Sequence, residues 1–163
     1  MHATVPLLHI DDSASDRLLI KEAIALTKTP FLLFQADGLD SAVEYLQTQK
    51  TSQTDLCPRP ALVLLDYDLG GGDTGCTFLN WFRLVKKNNI TPVVMLSSST
   101  GKGNVEECYA AGANHFLVKP HTMERFKAIV RTLFISVSQP GVISLLAEYI
   151  ADPKHRSAAA SHR

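Results

Sequence analysis

Five short segments of apolar and partly β-branched residues recur along the chain, separated by longer amphipathic stretches. Each segment is apolar at successive positions, which is typical of a strand buried on both faces. The segments are VPLLHI at 5–10, FLLF at 31–34, ALVLL at 61–65, PVVMLS at 92–97 and HFLV at 115–118.

Apolar residues spaced three or four apart follow each of these segments and predict a helix after each strand. The stripes are Leu19, Ala23 and Leu26; Val43 and Leu46; Phe78, Leu79, Phe82 and Val85; Val105, Cys108 and Tyr109; and Phe126, Ile129, Val130 and Leu133. Buried strands that alternate with helices predict an α/β domain with a parallel sheet, because crossover helices must cover both of its faces. In such a sheet, ligands bind at the carboxyl ends of the strands.

Polar residues concentrate at the carboxyl ends of four of the five predicted strands. They are Asp11 and Asp12 after the first strand, Asp66 and Asp68 after the third, Ser97 at the end of the fourth and Lys119 after the fifth. Carboxylates that converge on one point repel each other, and a hard divalent cation bound by oxygen relieves the repulsion, so we expect Mg²⁺ there. Together with the Lys119 ammonium and the Ser97 hydroxyl, such a cation suits phosphoryl transfer to an aspartate.

Each of these residues also has a simpler interpretation. Ser13 followed by Asp16 fits a helix capping box, and Asp11 or Asp12 could serve only to favour a helix N-terminus. Lys119 considered alone is a typical surface charge. Asp66 is different, because a carboxylate directly after four buried apolar residues has a desolvation cost that something must offset.

Length and composition limit the classes of partner. A chain of 163 residues fits one domain, and its 16 basic and 16 acidic residues argue against electrostatic binding to nucleic acid or to an anionic membrane. No apolar run approaches ~18 residues and no secretion signal is evident, so we expect neither membrane insertion nor export. Three separated cysteines, Cys57, Cys76 and Cys108, without a zinc-ligand spacing indicate a reducing cytoplasm.

Four of these segments together resemble the receiver domain of two-component response regulators. They are LLHIDDSASDR, LVLLDYDL, VVMLSSS and GANHFLVKP, and the resemblance spans about residues 5–137. It implies a flavodoxin-like (βα)5 fold of three layers, with a central five-stranded parallel sheet in the order 2-1-3-4-5. The expected receiver domain covers residues 1–138, as a response regulator of the single-domain type.

The resemblance also implies a role for each residue of the site. Asp66 would be the phosphoacceptor, and the metal would be held by Asp11, Asp12, Asp66 and the backbone carbonyl of Asp68, with Asp12 preferred over Asp11 for direct coordination. The remaining roles fall to Ser97 as the switch hydroxyl, Lys119 as the phosphate-binding cation and Phe116 as the aromatic switch. The Lys119–Pro120 peptide bond would be cis, which a proline permits.

A receiver domain implies a protein that takes a phosphoryl group from a sensor histidine kinase or a histidine phosphotransfer protein. It would then change a surface formed by the fourth helix, fifth strand and fifth helix, which binds a downstream protein target. The expected chemistry is limited to the protein's own phosphorylation and slow self-dephosphorylation, so we do not expect an enzyme acting on a separate substrate.

Residues 139–163 are expected to form a short C-terminal helix and a flexible tail. The segment QPGVISLLAEYIADPKHR places Val142, Leu145, Leu146 and Tyr149 on one helical face. Such a face predicts either packing on the chain's own domain or an extension for partner binding or homodimer formation.

Two other functions are compatible with parts of the pattern. The D-x-D sequence of Asp66 and Asp68 also resembles haloacid-dehalogenase-type phosphatases, but that family places D-x-D near the N-terminus and requires an acidic cluster after the lysine. A pseudo-receiver that binds partners without phosphorylation is the third alternative.

Overall fold

A five-stranded sheet forms the centre of the molecule in the computed structural model, which describes residues 4–48, 58–87, 90–98 and 101–138. The strands are β1 Val5–Ile10, β2 Phe31–Ala36, β3 Leu62–Leu65, β4 Val93–Ser97 and β5 His115–Val118. All neighbouring strands pair in parallel, in the order β2-β1-β3-β4-β5. This confirms the predicted sheet and its strand order.

In the described residues, four α-helices lie between successive strands and a fifth follows β5. They are α1 Ala14–Thr27, α2 Leu39–Thr48, α3 Gly75–Asn80, α4 Lys102–Ala110 and α5 Met123–Ser138. Helix α3 continues as a π-helical segment at Trp81–Val85. None of the helices in the described ranges combines the length and the apolarity that crossing a membrane requires.

Successive strand residues pack into two separate hydrophobic clusters, one on each face of the sheet. The strand residues of the first cluster are Leu8, Ile10, Ala36, Val63, Leu65, Val93, Met95 and Phe116, and they pack with α2, α3 and α4. Those of the second cluster are Leu7, Phe31, Leu62, Leu64, Val94, Leu96 and Leu117, and they pack with α1 and α5. Side chains alternate across a strand, so strands that are apolar throughout supply both clusters and produce three layers.

Three of the predicted helical stripes differ from the buried faces, and in α4 Tyr109 is 45% exposed although Cys108 is fully buried. Helix α1 buries Ile20, Ala23 and Ile24, whereas Leu26 of the predicted stripe is 62% exposed. Both stripes have helical spacing and share Ala23, so the spacing alone does not fix which face of the helix meets the sheet.

In the helix after β3, Val85 of the predicted stripe is 70% exposed although Phe82 is fully buried. The Lys86 amide donates to the carbonyl of Trp81, five residues earlier, at 3.0 Å. This π-helical turn carries one extra residue, so the last side chains rotate away from the core.

The register of the sheet brings the chemically interesting strand ends together. Ile10 pairs with Leu65, and Ser97 pairs with Val118. The residues that follow β1, β3 and β5 therefore leave the sheet at one edge. The predicted helix and tail at 139–163 lie outside the described residues.

Candidate functional site

Backbone hydrogen bonds fix where three site residues leave the sheet. The amide of Asp66 donates to the carbonyl of Ile10 at 2.9 Å, and the amide of Lys119 donates to the carbonyl of Ser97 at 2.8 Å. The amide of Asp11 donates to the carbonyl of Ala36 at 3.1 Å. Each residue thus adds one step to the parallel hydrogen-bond ladder, and its position follows from the strand before it.

Three aspartates from two strand ends converge at this edge. Asp11, Asp12 and Asp66 each place one carboxylate oxygen so that all three oxygens lie within 4.8 Å of one another. Asp11 is fully buried and Asp66 is 6% exposed, while Asp12 is exposed. Hard oxygen donors with one side open to solvent fit a hard divalent cation such as Mg²⁺ or Mn²⁺.

Lys119 lies among carboxylates and is not the surface charge that it would be if considered alone. It is 9% exposed, and its Nζ donates hydrogen bonds to Asp66 Oδ2 at 2.8 Å and to Asp16 Oδ2 at 2.6 Å. The same nitrogen lies 2.9 Å from Asp11 Oδ2, as an ion pair. Lys119 therefore pairs with three carboxylates, two of them through hydrogen bonds and the third through charge.

The pKa values in this cluster follow from burial and from the charge interactions with Lys119. Burial raises the pKa of Asp66, and the nearby Asp11 charge adds to this, so that Lys119 offsets the rise only in part. For Asp11, burial also acts to raise the pKa, but the nearby His9 and Lys119 outweigh it and the pKa is lowered. Burial acts to lower the pKa of Lys119, and its carboxylate partners reverse this, so the pKa is raised.

Asp16 belongs to this cluster, although the sequence suggested only a helix cap for it. The cap itself is present, since Ser13 Oγ accepts a hydrogen bond from the Asp16 amide at 3.2 Å. The Ser13 amide donates at 2.9 Å to Asp11 Oδ1 and not to the Asp16 side chain, as a capping box would require. The signal in the sequence was the position of Asp16 in the first turn of α1, a helix that begins at the edge where β1 ends.

The loop after Asp66 is closed by its own hydrogen bonds. Gly70, Gly71 and Gly72 all have positive φ values, of 73°, 61° and 93°, which glycine adopts with little strain. The side chain of Asp68 is exposed, and its Oδ1 accepts a hydrogen bond from the Gly70 amide at 3.2 Å. Asp68 also forms an isolated antiparallel bridge with Thr74, which returns the chain to α3.

Tyr67 links this loop to α4. Its amide donates to Asp66 Oδ1 at 2.7 Å, and its hydroxyl donates to Glu107 Oε2 at 3.1 Å. Burial raises the pKa of Tyr67, and the adjacent Glu107 charge raises it further, so the phenol remains the donor. The residue that directly follows Asp66 therefore contacts a helix on one face of the sheet.

Ser97 and Phe116 lie on β4 and β5, the two neighbouring strands that follow β3 in the strand order. Ser97 ends β4 and is 3% exposed, and Phe116 of β5 pairs with Met95 and is 8% exposed in the first cluster. The described peptide bonds are all trans, so the expectation of a cis Lys119–Pro120 bond is wrong. Lys119 reaches its carboxylates with the trans bond, which X–Pro peptides favour by roughly 0.5–1 kcal/mol.

Residues 7–131 match the family model described as the response regulator receiver domain. The chain belongs to the receiver domain family. The match contains every residue of the site described above, from Asp11 to Lys119. This confirms the resemblance found in the sequence and the class of function that it implied.

Several known proteins are similar in sequence to this chain. The two-component response regulator ARR17 of Arabidopsis thaliana is 30% identical over 129 residues, which are 74% of this chain and 78% of that protein. The probable chemotaxis protein CheY of Rhizobium etli is 25% identical over 130 residues, which are 80% of this chain and 92% of that protein. Receiver domains act in two-component systems with histidine kinases or phosphotransfer proteins.

Solved structures with the same fold include the phosphorylated cyanobacterial phytochrome response regulator RcpA. It is 24% identical, with a TM-score of 0.70, and the alignment covers 84% of this chain and 98% of that one. The Mn²⁺-bound form of the response regulator Rcp1 is also 24% identical, with a TM-score of 0.64 and coverage of 79% and 91%. These similarities confirm the receiver fold.

Proposed function

We propose that this chain is a phosphoacceptor response regulator in which Asp66 receives the phosphoryl group of a phosphohistidine. The protein would act in the cytoplasm, and the donor would be a sensor histidine kinase or a histidine phosphotransfer protein. The observation that carries the proposal is the 2.8 Å hydrogen bond from Lys119 Nζ to Asp66 Oδ2, beside the carboxylates of Asp11 and Asp12. A cation and two further acidic groups beside the Asp66 carboxylate support its proposed role as the nucleophile.

In the proposed reaction, a carboxylate oxygen of Asp66 attacks phosphorus, and the bond from phosphorus to the donor imidazole breaks. The electron pair of that bond stays on the imidazole nitrogen, and an acyl phosphate forms on Asp66. Lys119 Nζ already faces Asp66 Oδ2 and is placed to bind an oxygen of the transferred group, while Ser97 supplies a hydroxyl donor. Water later attacks phosphorus, which releases inorganic phosphate and restores the carboxylate.

We assign the metal as Mg²⁺. Asp12, Asp11, Asp66 and the backbone carbonyl of Asp68 would hold it, which is an all-oxygen set of the kind that Mg²⁺ prefers. When bound, the cation supplies positive charge for the oxygens of the phosphoryl group. The clustered oxygens of three aspartates support the assignment. Lys119 pairs with two of these carboxylates, Asp11 and Asp66, but its one positive charge does not balance three negative charges.

Phosphorylation would act on the surface formed by α4, β5 and α5, which we propose binds a downstream protein target. The new group adds about −1.5 to −2 charges at pH 7, and its binding by Ser97 and Lys119 would shift an existing equilibrium between two forms of that surface. Tyr109 and Val118 support this assignment, since they are 45% and 46% exposed on α4 and β5. Phe116, buried on β5, is the proposed aromatic switch.

Labelling by acetyl phosphate with Mg²⁺ tests the proposal. Intact-protein mass spectrometry is expected to show one added phosphoryl group, lost in Asp66→Asn and retained in Asp73→Asn, an exposed carboxylate of the same loop. Label that persists in Asp66→Asn, or no label on the folded wild type, would overturn the assignment, and the second result would favour a pseudo-receiver.

Steady release of phosphate from an added phosphomonoester would favour the phosphatase alternative. The structure gives that alternative no support. Between Lys119 and Ser138 the acidic residue is Glu124, which is exposed and pairs with Lys127 at 2.6 Å, so no acidic cluster follows the lysine in this part of the chain.

A further inference from the structure

His9 is buried directly behind the acidic pair. It lies in β1, two residues before Asp11, and is 1% exposed. Its Nε2 lies 3.6 Å from Asp11 Oδ2, slightly beyond hydrogen-bonding distance. Within the described residues, these two atoms have no aligned hydrogen-bond partner, although Asp11 Oδ2 forms the ion pair with Lys119. A buried ring nitrogen and a buried carboxylate oxygen therefore face each other.

Gln35 fixes which nitrogen of His9 carries the hydrogen. The side-chain Nε2 of Gln35 donates to the Arg17 carbonyl at 2.7 Å, so the amide nitrogen, and not the amide oxygen, occupies this position. The same nitrogen lies 3.3 Å from His9 Nδ1. Because an amide N–H₂ can only donate, Nδ1 must accept, and the neutral ring carries its hydrogen on Nε2. The nitrogen that carries this hydrogen is the one that lies 3.6 Å from Asp11 Oδ2.

Arg17 completes a chain of contacts around the acidic pair. Its Nη1 donates to the backbone carbonyl of Asp11 at 2.6 Å and to that of Asp12 at 3.1 Å. Residues from β1, β2 and α1 thus hold both the backbone of the pair and the Asp11 side chain. Outer groups that orient a ligating carboxylate in this way affect metal affinity by roughly 10–100-fold.

We propose that His9 is a positioning residue for the metal site, with its Nε2–H orienting the Asp11 carboxylate and remaining as a donor to Oδ2 when the Lys119 ammonium turns towards a phosphoryl group. This inference rests on the proposed function, since it concerns the same acidic pair. It assigns to a buried strand residue a part in setting the affinity for Mg²⁺.

The proposal is tested by comparing a variant that lacks the N–H donor of His9 with a variant that keeps an N–H donor but lacks the imidazole ring. His9→Leu removes the donor and is expected to weaken Mg²⁺ binding by about tenfold or more, measured by isothermal titration at fixed pH. His9→Gln keeps an amide N–H near the position of Nε2 and is expected to bind Mg²⁺ within about threefold of the wild type. His115→Gln, a half-buried histidine on β5, is the control for loss of a histidine elsewhere in the sheet.

Equal Mg²⁺ affinities for His9→Leu and the wild type would overturn the role of His9 while leaving the proposed function intact. Absence of Mg²⁺ binding by the wild type would instead contradict the proposed metal site itself. A second measurement needs no substitution and no metal: ¹⁵N NMR of the wild-type histidines at about pH 8, well above an ordinary histidine pKa. A neutral His9 ring protonated at Nε2 supports the proposal, and a ring protonated at Nδ1 overturns it.

Discussion

The Lys119 ammonium and the Asp16 carboxylate lie 2.6 Å apart, although 103 residues separate them in the chain. Asp16 thereby adds a fourth carboxylate to the edge where Asp11, Asp12 and Asp66 meet, with Lys119 as the cation among them. The site therefore includes a carboxylate that the sequence indicated only as part of a helix cap.

Neutralising Asp16 is expected to have opposite effects on a cation and on an anion. Asp16→Asn should weaken Mg²⁺ binding and, at saturating Mg²⁺, accelerate labelling by acetyl phosphate, because one negative charge leaves the site. Asp16 is partly exposed, so solvent screening limits each effect to about 1 kcal/mol or about fivefold. Titration calorimetry and the initial rate of labelling measure the two effects.

The control for this variant is Glu22→Gln, which removes an exposed charge from the same helix, away from the first turn. It should change neither quantity. Slower labelling in Asp16→Asn, or an unchanged affinity for Mg²⁺, would show that Asp16 acts only as a structural partner of Lys119.

Removing the ammonium should destabilise the metal-free protein. Lys119→Met leaves the buried carboxylates of Asp11 and Asp66 without their shared cation, which typically costs about 3–5 kcal/mol of unfolding free energy. Added Mg²⁺ is expected to restore part of the loss, because it supplies a new positive charge. Urea unfolding with and without the metal measures both effects.

Lys127→Met is the matched control, since Lys127 pairs with Glu124 on the surface of α5, where the carboxylate is 80% exposed. A surface pair of this kind contributes about 0–1 kcal/mol. If the two lysine variants lost equal stability, the buried ion-pair network would have no special role in holding the fold.

Gly75 is expected to tolerate no side chain. A Cβ at this position would lie 2.4 Å from the Asp66 carbonyl oxygen and 2.7 Å from Met95 Cε, so the start of α3 would have to move away from β3. Gly75→Ala should therefore lower the unfolding free energy by about 1–3 kcal/mol and slow labelling of Asp66. Gly38→Ala, whose Cβ would meet only the Leu69 carbonyl at 3.8 Å, should leave both nearly unchanged. Wild-type behaviour of Gly75→Ala would argue against close packing here.

The fold could be predicted from the sequence because its signals are local. Each strand is apolar throughout and is followed by a stripe with helical spacing, and a parallel sheet is the arrangement that buries both faces of such strands. The exceptions arose where tertiary packing decides: Leu26 shares its spacing with the face that α1 buries, and the π-helical turn before Lys86 moved Val85 into solvent.

The site was predictable to a similar extent. Asp11, Asp66 and Lys119 stand directly after strands, and the topology alone brings them to one edge. Asp16 and His9 were missed, since one lies in a helix and the other inside a strand, where a cap and a packing role were adequate explanations. Only three-dimensional contacts, at 2.6 Å to Lys119 and 3.6 Å to Asp11, reveal their connection to the site.

The burial of the Cys76 and Cys108 thiols can be tested through the pH dependence of the protein's stability. Their sulfur atoms lie 3.5 Å apart between α3 and α4, and burial raises the pKa of both, that of Cys108 to about 12 from an ordinary 9.0. A raised pKa in the folded state means that the contribution to stability is fully present below pH 9 and is lost as the pH rises through 9 towards 12.

Between about pH 9 and pH 11, the wild type should therefore lose more unfolding free energy than Cys108→Ala, measured by urea unfolding. The same burial should leave both thiols unreactive towards iodoacetamide at pH 8 until the protein is unfolded. Rapid alkylation of either thiol in the native protein, or parallel pH profiles for the two proteins, would contradict this environment.

Tyr67 connects Asp66 to helix α4 through two hydrogen bonds. Its amide donates to the carboxylate that would be phosphorylated, and its hydroxyl donates to Glu107 of α4. One aromatic side chain therefore links the reacting group to that helix. A rearrangement that breaks the bond at Asp66 Oδ1 frees the Tyr67 amide, and a movement of Tyr67 would then be passed to α4 through the hydrogen bond to Glu107.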